Sequence, residues 1–286
     1  MTWRELLAEV EAALVAGSVS SAHVDARRLV ERASGLDGTE LVLGLDRVAT
    51  KRGVAHLDAM LQRRIRGEPL QYVVGRWGFR SLDLLIDARA LIPRPETEQV
   101  AELALAELRR RTATAPVVVA DLGTGSGAIA LSVAKEMVTT EVWASDISAD
   151  ALALARANLA GLGRPAARVR LVEGDWFAAL PGELVGRFDL VVSNPPYVAE
   201  TDELPAEVAD WEPTGALVAG PTGREHLERI VAEATAWLAP SGSLVLELAP
   251  TQAPALVAAA GAAGFTSVEV RPDLAGCPRV LVARRR

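Results

Sequence analysis

The chain has 286 residues, half of them apolar, and a formal net charge of −7. That length supports a large buried core and two domains, and the acidic balance argues against a protein that holds nucleic acid mainly through phosphate contacts. One cysteine, Cys277, excludes an intramolecular disulfide framework and a cysteine-rich zinc site, so the expected setting is the reducing cytoplasm.

The opening "MTWRELLAEVEAALVAG" is interrupted by Glu5, Glu9 and Glu11 and so lacks the apolar centre of a leader. No window has the composition of a membrane span, and no membrane association is expected. Trp3, Leu6, Leu7, Val10 and Leu14 recur at helical spacing, as do Val54, Leu57, Leu61 and Ile65 behind a Thr50 cap. These patterns predict a small helical domain over residues 1–70. Arg47, Lys51, Arg52, Arg63, Arg64 and Arg66 form a basic run with Asp58 as its one acid, read as a solvated helix face. In "QYVVGRWGFRSLDLLID" the pattern turns to β-branched and aromatic residues around Gly75 and Gly78, which predicts a β-hairpin linker over 71–92. "LIPRPETEQVAELALAEL" then starts a helix, with Pro95 in the first turn and Glu96 and Glu98 against the positive end of its dipole.

Past Pro116, short apolar strands alternate with alanine-rich helices, the pattern of a parallel sheet covered on both faces. Seven strands are predicted, near Val117–Asp121, Glu141–Ser145, Val169–Glu173, Phe188–Ser193, Ser243–Glu247, Ser267–Val270 and Val280–Val282. The last two are separated by "RPDLAGCPR", too short for a crossover helix, so they should be antiparallel neighbours in a mixed sheet. His23, His56 and His226 lack ligand-like spacing and are read as structural or exposed; no metal is expected.

Four strand ends carry chemistry. In "DLGTGSGAIALSVA" the glycines Gly123, Gly125 and Gly127 let the backbone turn and bring helix N-terminal amides close to a ligand. The stretch also satisfies a dinucleotide-binding pattern through Ala128, so a nicotinamide dehydrogenase competes at this point. Asp146 ends the second strand, where it would accept from ribose hydroxyls; it could instead cap the next helix, for which Ser148 is an equal candidate. In "GDWF", Asp175 could accept from an adenine amino group and Trp176 could offer a flat face to the ring, or Trp176 could simply be core. The fourth signal, "SNPPYV", separates the readings, because a dehydrogenase has no use for it. An amide or aminopurine nitrogen is a poor nucleophile, since its lone pair is delocalised. The Asn194 side-chain oxygen and the Pro195 carbonyl can take its two hydrogens, Pro195 and Pro196 remove competing donors, and Tyr197 can cover the planar group at near-attack distance.

The order of these signals resembles the class I S-adenosylmethionine-dependent methyltransferases of planar NH2 groups. With "RRIRGEPLQYVVGRWGF", "LIPRPETE" and the tail "DLAGCPRVLVARR", the chain resembles over essentially its whole length the protein-glutamine N5-methyltransferases of bacterial peptide chain release factors. The resemblance implies a substrate-docking helical domain, a hairpin linker and a Rossmann-like methyltransferase domain over 93–286 with a seven-stranded mixed sheet. It implies class 1 release factors as partners and the glutamine of their Gly-Gly-Gln loop as methyl acceptor, in translation termination. The implied cofactor contacts are Asp121, Gly123, Thr124, Gly125, Ser126, Gly127, Asp146, Ile147, Asp175, Trp176 and Asn194; the implied catalytic set is Asn194, Pro195, Pro196 and Tyr197. "LIPRPETE" is expected to wall the site near the methionine end of the cofactor. Cys277 and Pro278 stand where the family usually has an arginine and an acid, a departure expected to lie remote from the site. An adenine-N6 nucleic-acid methyltransferase shares the chemistry and remains the alternative, although no large basic recognition region accompanies it; a non-catalytic module on the same fold would be expected to have lost glycines or Asn194.

Overall fold

A computed structural model of the chain describes residues 1–111 and 116–286. It divides into two compact units, one of Met1–Trp77 with Pro205–Trp211 and one of Gly78–Leu204 with Glu212–Arg286.

The first unit is helical: α1 (Trp3–Ala16), α2 (Ala22–Ser34), α3 (Gly38–Gly44), α4 (Lys51–Ile65) and α5 (Leu70–Val74). α1 starts on a capping box in which Thr2 and Glu5 satisfy each other's backbone amides, so a glutamate that breaks the leader pattern also starts the helix. Thr50 caps α4, its hydroxyl accepting from the Gly53 amide at 3.0 Å. The core gathers Trp3, Leu6, Val10, Leu14, Leu29, Leu57 and Met60. Part of the basic run is internal. Arg64 is buried and donates to Asp25 at 2.7 Å, with Glu207 at 3.0 Å, and Arg63 pairs with Glu68. Gln71–Val74 departs from the predicted hairpin: it is the short helix α5, closed by Gly75 in the left-handed region at φ 70°, where a glycine ends a helix turn without strain. The hairpin proper is β1 (Arg76–Phe79) and β2 (Leu82–Leu85).

The second unit continues with α6 (Pro95–Arg109), β3 (Val117–Leu122), α7 (Ala128–Glu136), β4 (Thr140–Asp146), α8 (Ala149–Ala160), β5 (Val169–Glu173), β6 (Phe188–Ser193) and β7 (Val198–Ala199). After the one-turn α9 (Ala206–Ala209), which belongs to the first unit, come β8 (Val218–Gly220), α10 (Glu225–Trp237), β9 (Leu238–Glu247), α11 (Ala253–Ala262), β10 (Ser267–Pro272) and β11 (Pro278–Arg284). Seven strands form one sheet in the order β10-β11-β9-β6-β3-β4-β5. The pairs from β9 to β5 are parallel, and β10-β11 and β11-β9 are antiparallel, as the short "RPDLAGCPR" connection requires. β9 begins five residues before its predicted start, because Pro240, Ser241 and Gly242 read as a turn although Leu238 already pairs with Phe188 across a register shift. The small parallel pair β7-β8 was not foreseen.

β3 lies at the centre of the sheet's parallel part. The chain leaves it for β4 and β5 on one side, then returns to β6 on the other, so the β3/β6 boundary is the topological switch point where an open α/β sheet leaves a crevice at its strand ends.

Candidate active site

Both strands at the switch point deliver a sequence motif to that crevice. Leu122 and Ser193 are register partners, and the Ser193 hydroxyl donates to the Leu122 carbonyl at 2.6 Å, so the glycine loop and Asn194 emerge side by side. The crevice opens into a cavity of about 300 Å³. Its wall includes Gly123, Thr124, Gly125 and Ser126 from the loop, Asp146 and Ile147 from the end of β4, Asp175 and Trp176 after β5, and Asn194 and Pro196 after β6. Four anticipated residues lie outside the wall: Asp121, Gly127, Pro195 and Tyr197.

The loop is shaped by its glycines. Gly123 has φ +69°, and a Cβ there would sit 3.0 Å from the Trp176 ring. Gly127, at φ +87°, is the N-cap of α7. Beneath the loop Asp121 is buried; its Oδ2 accepts from the Thr124 hydroxyl at 2.6 Å and the Ala130 amide at 3.0 Å, while Oδ1 has no partner among the described residues. Burial pushes its pKa up to about 7, against those two hydrogen bonds, and the negative charge of Asp146 adds to the rise.

Asp146 accepts from the Gly125 amide at 2.8 Å and the Ser148 amide at 2.9 Å. Burial raises its pKa, opposed by these backbone bonds. The helix cap belongs to Ser148, whose hydroxyl accepts from Ala151 at 3.1 Å. Asp146 therefore holds the loop to the strand end and still faces the cavity. Asp175 is engaged by Arg229, which donates to it at 2.7 Å. Trp176 combines both of its sequence readings: it packs on the core cluster and lines the cavity, between Gly123 and the His226 ring, 5.2 Å away.

Across the cavity, the Asn194 Nδ2 donates to the Thr97 hydroxyl oxygen at 3.1 Å. Thr97 donates to Glu247 at 2.8 Å, and the Tyr197 hydroxyl donates to the other oxygen of the same carboxylate at 3.2 Å. Burial raises the Tyr197 pKa, and the Glu247 charge adds to the rise. Pro93 and Thr97 bring "LIPRPETE" into the cavity wall. The segment is anchored by Glu212, which is 5% exposed and accepts from the Ile92 amide at 3.1 Å and from Arg94.

Sequence reasoning missed Thr97, Glu212 and Glu247 as site-building residues, and it read His226 as structural or exposed although it lines the cavity. Thr97 lies in "LIPRPETE", the segment expected at the site, but nothing singled it out there; no local pattern marks Glu212 or His226, and only the apolar run before Glu247, with its acid at the strand end, hints that the carboxylate meets the crevice. The tail departure is nearer than expected: Val280, two residues beyond Pro278, is the register partner of Glu247. Cys277 itself is exposed, its amide donating to Asp273.

The wall suits S-adenosylmethionine. A glycine cradle that a Cβ would fill against Trp176, an indole face, an acid at the end of β4 and an orphaned carboxylate oxygen beneath the loop match a ligand with an aromatic base, a ribose diol and positive charge.

Residues 5–75 match the PrmC N-terminal domain family and residues 96–210 the methyltransferase small domain family. The chain is 42% identical to the release factor glutamine methyltransferase of Deinococcus radiodurans, across 100% of this chain and 99% of that one. It is also 42% identical to the Burkholderia pseudomallei protein of the same name, across 90% of each. Among solved structures, a methyltransferase from Pyrococcus furiosus superposes with a TM-score of 0.51 at 19% identity, covering 73% of this chain and 91% of that one, which shows the shared α/β methyltransferase fold. With identity of this order running from end to end, through the helical unit as well as the sheet, the chain belongs to the release factor glutamine methyltransferases.

Proposed function

We infer that the chain transfers a methyl group from S-adenosylmethionine to the side-chain amide nitrogen of a glutamine, and that this glutamine is the one in the Gly-Gly-Gln loop of class 1 peptide chain release factors. The observation that carries the reading is the Asn194 amide in the cavity wall, its NH2 committed to Thr97 and its carbonyl oxygen left as an acceptor for a substrate N–H.

The cofactor supplies an electrophilic methyl on its sulfonium. On this reading Asp146 holds the ribose, the amides of Gly123–Gly127 and the face of Trp176 hold the remainder of the cofactor, and Asp175 faces the base. Asn194 Oδ1 and the Pro195 carbonyl take the two amide hydrogens of the substrate glutamine, which aims the nitrogen lone pair along the line of transfer. No strong base is needed beforehand, because the nitrogen becomes acidic only on gaining the methyl and then releases one proton. Pro196 and Tyr197 shape the pocket for the planar amide. Residues 1–70 dock the release factor, 71–92 serve as the linker and 93–286 as the methyltransferase domain, at work in the cytoplasm.

The adenine-N6 reading loses support from the basic run, because Arg64 is buried in an ion pair with Asp25 and the part-exposed Arg63 is paired with Glu68. Mass spectrometry of a class 1 release factor incubated with the protein and S-adenosylmethionine tests the proposal: one added methyl on the Gly-Gly-Gln glutamine is expected, and label transferred to nucleic acid instead would overturn it.

A further inference from the structure

Glu247, the last residue of β9, is 1% exposed and lies outside the cavity wall. A buried carboxylate is costly unless its oxygens are satisfied. Here burial raises the Glu247 pKa, and the hydrogen bonds that Oε2 accepts from Thr97 and Oε1 from Tyr197, together with the charge of Arg279, oppose the rise and favour the carboxylate. The chain thus keeps an acid where an apolar residue would cost less, two hydrogen bonds removed from Asn194.

The donor and acceptor inventory fixes the direction of every bond in this relay. A carboxylate has no proton to give, so Thr97 and Tyr197 both donate to it. A hydroxyl has one proton. Once that of Thr97 points at Glu247, its oxygen can meet Asn194 only as an acceptor, and the Asn194 atom 3.1 Å away has to be the NH2 nitrogen. The carbonyl end of the amide then faces the other way. With a donor in place of the carboxylate, the Thr97 hydroxyl would turn, donate to the Asn194 oxygen and leave the NH2 towards a substrate that also presents NH2.

We propose that Glu247 is a positioning residue for methyl transfer: acting through Thr97, it sets which end of the Asn194 side-chain amide faces the substrate glutamine. The proposal rests on the function inferred above. It explains why "LIPRPETE" must reach the crevice: Thr97 is the only residue hydrogen-bonded to both Asn194 and Glu247 among the described residues.

The test uses the full chain with S-adenosylmethionine and release factor at saturation. Glu247→Gln replaces two acceptors by one acceptor and one donor and should slow single-turnover methyl transfer about tenfold, leaving cofactor affinity within threefold. In an Asn194→Ala background the same substitution should add less than twofold, because the orientation it controls has gone. Thr97→Val cuts the relay at its centre and should match or exceed the loss, with Thr97→Ser recovering most of it. Independently of activity, the Asn194 side-chain NH2 resonances in a 15N-labelled protein, assigned by their loss in Asn194→Ala, should move in both Glu247→Gln and Thr97→Val. A tenfold loss that persists in the Asn194→Ala background, or NH2 resonances unmoved by both substitutions, would overturn the proposal. A wild-type protein that methylates no release factor, with the NH2 shifts still present, would overturn the functional reading and leave the relay standing.

Discussion

The two sides of the cavity hold their polar groups by different means. On the β3–β4–β5 side the wall is built largely from main chain: a loop whose shape depends on glycines at positive φ, tied down by an aspartate that itself accepts backbone N–H groups. On the β6–β9 side the wall presents a side-chain amide, that of Asn194, hydrogen-bonded through the Thr97 hydroxyl to a buried carboxylate. A backbone-built surface tolerates changes of side-chain chemistry but not an added Cβ, whereas a relay tolerates small shifts in shape but not the inversion of one donor. The first side is suited to a cofactor that is the same at every turnover. The second discriminates by which atom donates, which is the demand made by an amide nitrogen.

The largest expected effect tests the relay side. Asn194→Ala should lower single-turnover methyl transfer by roughly 10²- to 10³-fold, the scale for losing one preorganised polar contact at a reacting centre, with cofactor binding changed far less. Asn194→Asp keeps an acceptor but loses the N–H given to Thr97, and places a second carboxylate next to a hydroxyl whose proton is already committed. It should recover only part of the loss. A near-normal transfer step in Asn194→Ala would break the comparison, since the relay side would then be mere scaffolding.

The backbone side answers through binding. Asp146→Ala should weaken S-adenosylmethionine by about 2 kcal/mol, as charge-assisted hydrogen bonds are lost and the Gly125 and Ser148 amides lose their acceptor. Calorimetry showing unchanged affinity in a folded variant would reduce Asp146 to a loop anchor. Gly123→Ala introduces no polar change, yet it should weaken binding by about 1–2 kcal/mol, because it places a Cβ 3.0 Å from Trp176 at φ +69°.

The same contrast explains what could be read from sequence. The glycine loop, Asp146, "GDWF" and "SNPPYV" are local: each motif lies within a few residues of a strand end, and the alternation of strands and helices places all four at one edge of a parallel sheet. The seven strands and the antiparallel pair β10-β11 follow from the same patterning. Thr97 and Glu247 are 150 residues apart and meet only because α6 packs where β9 ends. Neither has a neighbour in sequence that betrays the other. Tyr197 shows the mixture: its place directly after the Asn-Pro-Pro turn is local, but its position outside the cavity wall and the engagement of its hydroxyl with Glu247 depend on strand order, which local pattern does not encode. The helical conformation of Gln71–Val74 was hidden for the opposite reason, since three β-favouring residues, Tyr72, Val73 and Val74, were turned into one helical turn by Gly75 and by burial.

The smallest effect concerns the carboxylate under the glycine loop, which belongs to the backbone side but is paid for in stability. Asp121 has a pKa pushed up to about 7 in the fold, from an ordinary value near 4 in the unfolded chain. The folded state therefore binds the proton more tightly than the unfolded one. Stability from this group falls as pH rises through the interval between the two values, and the cost is fully present above about pH 7. Between pH 6 and pH 8 the loss should be roughly 1 kcal/mol, since one pKa unit corresponds to about 1.4 kcal/mol and the titration is only partly complete at pH 6. Asp121→Asn retains an oxygen for both Thr124 and Ala130, which share Oδ2, and carries no charge, so its stability should change less than the wild type's over the same interval. Glu247 and Asp146 are shifted in the same direction by burial and remain in both proteins, so the difference between variant and wild type isolates Asp121. Urea unfolding at the two pH values measures it. An equal pH dependence in the two proteins would mean that Asp121 is ionised in the fold throughout, its charge held by the Thr124 hydroxyl and the Ala130 amide of α7.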